Sequence, residues 1–193
     1  MNSHIIRLIE QRQAALDALI ALYQAIGSEF DAHPRFLGIA TQESASSLTA
    51  DQYAAAGYTP EGSFDGLSRL VRGLSSALPE SWAWWYMNFL EGGNARLLEL
   101  ASEFAGLGNV MLGGPDILPG NPGLTYHAYP VYRATQIPKF ASMQHDSILL
   151  DDHARLAAFA EDNLGAQAII WNDTHWATGP YSNMAAHIAD NPI

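Results

Sequence analysis

The spacing of apolar positions divides the chain into alternating helical and extended stretches. From about residue 3 to 27, Ile5, Leu8, Ile9, Leu16, Leu19, Ile20, Leu22 and Tyr23 recur on one helical face, and Gly27 is placed to cap the helix. His33-Pro34 then turns the chain into a strand over 36–42. Gly57, Pro60, Gly62 and Gly66 read as a loop leading to a second helix over 67–77. An aromatic strand over 81–89 follows Pro79, and Gly92-Gly93 opens a helix over 95–105. The remaining elements are a strand over 109–112, a long loop over 113–136, a strand over 139–143, a helix over 151–163, a strand over 167–171 and a helical turn or two over 183–189.

Each strand closes on polar or acidic residues. The pattern recurs at Thr41-Gln42-Glu43, at Asn88, at Gly113-Gly114-Pro115-Asp116, at Gln144-His145-Asp146 and at Trp171-Asn172-Asp173. Alternation of about five strands with helices predicts an α/β domain of parallel strands joined by right-handed crossovers. Two architectures fit: a partial (β/α)8 barrel, or an open doubly wound sheet. Polar ends on every strand favour the barrel, which converges all its strand ends on one site. A doubly wound sheet needs them mainly at its switch point. No composition shift marks a domain boundary, so 1–193 is read as a single domain.

Composition narrows the partners. Hydrophobic residues make up 48% and charged residues 15%, which suits a packed domain. With 9 Lys+Arg against 20 Asp+Glu, the formal net charge is -11, a balance that repels phosphate backbones and argues against nucleic acid. Lys139 is the sole lysine, and there is no basic run for an anionic membrane and no apolar stretch long enough to span one. Cysteine is absent, so disulfides, thiolate metal sites and cysteine nucleophiles are excluded. Arg7, Glu10, Arg12 and Asp17 interrupt any leader-like apolar region, which makes the cytoplasm the default expectation.

At its strand ends the sequence resembles the later part of clan-A-type glycoside hydrolase (β/α)8 barrels, from His33-Pro34-Arg35-Phe36-Leu37-Gly38-Ile39 to Trp171-Asn172. It is also similar to a bacterial glycoside-hydrolase-like group with a Gly-Gly-Pro-Asp strand end, a Tyr-Pro-x-Tyr-Arg segment (Tyr129 to Arg133) and a Gln-His-Asp-Ser strand end (Gln144 to Ser147). The resemblance implies that the five strands correspond to strands four to eight of the barrel. The chain is then expected to be incomplete as a barrel, with sheet edges that invite homo-oligomer formation.

The resemblance also implies a chemistry. Glycoside hydrolysis uses two carboxyl groups flanking the scissile bond. Glu43 stands where the family places its acid/base, preceded by Gln42 where the family pattern has asparagine. The strand that carries the family's nucleophilic glutamate ends here in Asp146, one methylene shorter. A retaining pair, an inverting pair and a lost activity are all open at this point. Asn88, Asp116, Gln144 and His145 are candidates for binding sugar hydroxyls, and Trp171 and Trp176 for stacking on a pyranose face. Trp82, Trp84 and Trp85 read as core. Carbohydrate is the expected partner, and no cofactor or metal is implied. The alternative reading is a non-catalytic glycan-binding or assembly module derived from such a barrel.

Overall fold

A computed structural model of the chain describes residues 3–41, 50–90, 92–115, 117–143 and 153–171. In chain order the elements are α1 (Ser3–Phe30), β1 (Gly38–Ala40), α2 (Ala50–Ala55), α3 (Pro60–Ala77), β2 (Trp82–Tyr86), α4 (Gly93–Ala105) and β3 (Val110–Gly114). Then come α5 (Pro122–Thr125), α6 (Ala128–Ala134), β4 (Lys139–Met143), α7 (His153–Ala158) continued by a π-helical turn (Phe159–Asn163), and β5 (Ala166–Trp171). The five strands are all parallel and lie in the order β1-β2-β3-β4-β5. The sheet curls into a half-barrel.

That order settles the architecture. A doubly wound sheet reverses its strand order at a switch point, and this sheet has no reversal. Sequential parallel strands with crossovers of one hand place their helices on one face, the outside of the curl.

The two faces of the sheet are chemically distinct. Along β2, Ala83 and Trp85 are fully buried toward the helices, where Leu74, Leu97, Leu100 and Phe104 join them in the core. Trp82, Trp84 and Tyr86 alternate onto the concave face and are only partly buried. Three tryptophans that read alike in sequence therefore divide: Trp85 is core, and its ring meets Phe104 edge-on at 4.9 Å. Trp84 instead meets Phe140 edge-on at 5.0 Å, on the other side of the sheet.

Several elements differ from the sequence expectation. Gly27 does not cap α1, which continues to Phe30. Its missing side chain lets α1 cross α3, since a Cβ there would fall 1.9 Å from the Ala77 carbonyl oxygen. The segment with Pro60, Gly62 and Gly66 is helix, not loop. Thr59 caps it by accepting from the Gly62 amide at 3.0 Å, and Pro60 occupies the first turn, where its missing N–H costs nothing. Gly113-Gly114 does not turn the chain either: both residues belong to β3. The long loop folds into α5, capped by Asn121, and α6, which buries Tyr129 and Tyr132. Among the described residues, no helix is long and apolar enough to cross a membrane.

Candidate active site at the carboxyl ends of the strands

Parallel strands deliver all their carboxyl ends to one rim of the sheet, so the rim is where the sequence candidates must be judged. Thr41 follows β1 and is 5% exposed. Its amide donates to the Trp84 carbonyl at 2.9 Å. Its hydroxyl oxygen accepts from the Tyr86 amide at 3.0 Å, taking the ladder position that the next carbonyl of β1 would fill.

Tyr86 ends β2 on the concave face, in register with Gly113 of β3 and, through it, with Phe140 of β4. Gly113 has no side chain to stand between them; a Cβ there would lie 2.6 Å from the Phe140 ring. The Tyr86 ring stacks on Phe140 with centroids 5.9 Å apart, and its hydroxyl donates to Ser142 Oγ at 3.2 Å. Trp84 meets the Phe140 ring edge-on and donates from its indole nitrogen to the Leu37 carbonyl at 3.3 Å. Trp84, Tyr86 and Phe140 thus form an aromatic floor leading to the rim.

Asn88 is the most deeply placed of the described candidates, at 2% exposure. Its Nδ2 donates to the Pro115 carbonyl at 2.8 Å, and its Oδ1 lies 3.0 Å from the Tyr132 hydroxyl. The same hydroxyl is 3.0 Å from the Met87 carbonyl. Burial raises the Tyr132 hydroxyl well above the usual tyrosine range, with Tyr129 and Tyr86 adding to the effect. Asn88 therefore ties the β2 end to the β3 end and to α6, and protein groups occupy both ends of its carboxamide. The Tyr-Pro-x-Tyr-Arg segment serves the same scaffold: Tyr129 bonds both the amide and the carbonyl of Leu118, at 3.0 and 2.7 Å.

Trp171 ends β5 in register with Met143. It is partly buried and packs against the helix-side core, on the face of the sheet opposite Tyr86 and Phe140. Glu43, Asp116, Gln144, His145, Asp146 and Trp176 lie outside the described residues, as does 183–189. Glu43 follows Thr41 by two positions, and Asp146 follows Met143, the last residue of β4, by three. β1 and β4 are three strand steps apart, about 14 Å along the sheet at ~4.8 Å per step and less across the curl.

Sequence reasoning missed Thr41, Tyr86 and Ser142. Alternation on β2 was the available signal, because Tyr86 shares the parity of Trp84. The glycine opposite it on β3 would have completed the inference. Among the described residues, no cluster of three or more His, Asp or Glu is arranged to hold a metal ion. A groove among α1, α3 and α4, lined by Ile20, Phe64, Arg69, Arg72 and Glu103, holds no strand-end residue. Both of its arginines are paired, Arg69 with Asp17 and Arg72 with Glu103. Compared with protein-family models, with curated proteins and with solved structures, the chain matches none.

Proposed function

We propose that this chain is a glycoside hydrolase acting on O-glycosidic bonds through two carboxyl groups, Glu43 as general acid/base and Asp146 as nucleophile or base. One observation carries the reading. The strands that lead to Glu43 and to Asp146 are parallel members of one sequentially ordered, curled sheet, so the last described residues before each, Thr41 and Met143, stand at the same rim. The floor approaching that rim is aromatic, and sugar rings present apolar faces that stack on such surfaces. Gln144, His145, Asp116 and Trp176 are carried as sugar-binding residues from the strand-end pattern of the sequence.

The test is turnover of a panel of aryl glycosides by the parent chain and by Glu43→Gln. Loss of a general acid is expected to cut kcat by about 100-fold or more. Equal turnover would remove Glu43 from the mechanism.

A second reading is favoured by the partial exposure of Trp82, Trp84 and Tyr86 on the concave face: a module that binds glycan without cleaving it. It predicts heat of binding in calorimetry with oligosaccharides and no product release. Self-association is a separate part of the proposal. Among the described residues β1 and β5 each pair on one side only, and a free parallel edge is a template for another chain. A monodisperse monomer in light scattering would count against it.

A further inference from the structure

We propose that Tyr86 is a positioning residue that fixes the distance between the two catalytic strand ends; this rests on the hydrolase reading above. The inference comes from what Tyr86 touches. Its amide donates to Thr41 Oγ1 at 3.0 Å, two positions before Glu43. Its phenol donates to Ser142 Oγ at 3.2 Å, four positions before Asp146. One residue on β2 thereby bonds the carboxyl ends of both β1 and β4, and it reaches β4 by crossing β3.

The crossing is built into the sequence. A tyrosine lying across a parallel neighbour would ordinarily meet that strand's side chain. Here the neighbour in register is Gly113, and Phe140 beyond it supports the ring by stacking. Ser142 is 4% exposed and Thr41 5%, so water competes little for either contact. The Ser142 carbonyl also accepts from the Ile117 amide at 3.3 Å, which anchors the end of β4 to the segment after β3. The brace therefore joins the carboxyl ends of β1 and β4.

The distance between two carboxyl groups decides how glycoside hydrolysis proceeds and how strongly each group perturbs the other. A change of about 1 Å in such a distance can cost up to about 100-fold in rate. A brace across the strands that carry both groups acts on kcat while leaving sugar contacts in place.

The test uses the full chain. Tyr86→Phe keeps the ring and its stacking and removes only the hydroxyl. It is expected to lower kcat on aryl glycosides by about tenfold or more, to leave KM within about twofold, and to move a limb of the pH–rate profile. Ser142→Ala should reproduce the loss, and the double variant should be no worse than either single one, because the two groups act as one unit. Ser142→Thr, which restores a hydroxyl, should recover activity. Parental kcat and pH profile in Tyr86→Phe would overturn the brace while leaving the hydrolase reading standing. No turnover by the parent chain would overturn the hydrolase reading itself. The brace is then read by carboxyl NMR titration of Glu43 and Asp146, and midpoints unchanged in Tyr86→Phe would overturn it too.

Discussion

The Asn88 carboxamide occupies the space that a side chain on Gly114 would need: a Cβ at Gly114 would lie 2.1 Å from Asn88 Oδ1. Asn88 cannot yield easily, because its Nδ2 is held by the Pro115 carbonyl and its Oδ1 by Tyr132. Gly114→Ala is therefore expected to destabilise the chain by about 1–3 kcal/mol through overpacking. Asn88→Ala should cost about 1–3 kcal/mol by stranding buried polar groups. The double variant should cost less than the sum, since removing the carboxamide makes room for the new methyl. Urea unfolding of the four proteins measures the coupling, and strict additivity would contradict the packing described.

Tyr132 links the same scaffold to pH. Burial holds its hydroxyl above the ordinary pKa of 10.0. The unfolded chain then loses this proton at lower pH than the folded chain does. Its contribution is fully present below pH 10 and declines as the pH rises beyond it. Tyr132→Phe should lose about 1 kcal/mol at neutral pH, where its bonds to Met87 and Asn88 disappear. Above pH 10 it should lose stability less steeply than the parent. Chemical denaturation at pH 7 and at pH 10.5 compares the two slopes.

Trp84 and Trp85 are neighbours in sequence with opposite roles. Trp85 is fully buried, and its indole nitrogen has no hydrogen-bond partner among the described residues, so its contribution is packing alone. Trp85→Ala should cost about 3–5 kcal/mol. Trp84→Ala removes a partly buried ring and should cost less stability. On the proposed function it should weaken oligosaccharide binding most, which calorimetry would read directly. Equal binding losses in the two variants would place the sugar off the concave face.

Much of this scaffold was legible in the sequence, and the exceptions have physical causes. The strand at 139–143 matches β4, which is buried throughout and follows Pro138. Five strands, their parallel sense and the barrel-like order follow from the βα alternation and the polar strand ends. Local signals failed where glycine serves a neighbour rather than its own backbone. Gly113 and Gly114 resemble a turn, yet they stay extended and make room for Phe140 and Asn88, residues 27 and 26 positions away. Asn88 reads as a free strand-end amide, and only tertiary packing brings Pro115 and Tyr132 to it. Trp171 reads as a rim residue, but strand parity turns it toward the helices.

Lys139 carries the last prediction. It opens β4 and is 9% exposed, and its ammonium donates to the Ile137 carbonyl at 3.1 Å. Burial disfavours the charged form and lowers its pKa below the ordinary 10.5. Between the folded and unfolded pKa values the unfolded chain binds more protons, so this residue's penalty is fully present at lower pH. The penalty shrinks as the pH rises toward 10.5. Lys139→Met removes the titrating group while keeping an unbranched apolar stem. The difference in melting temperature, parent minus variant, should therefore rise in the parent's favour from pH 7 toward pH 10.5. This is the sign opposite to that of a lysine held by a carboxylate. A flat difference would mean that the ammonium keeps its full hydration in the folded chain, contrary to its burial at the start of β4.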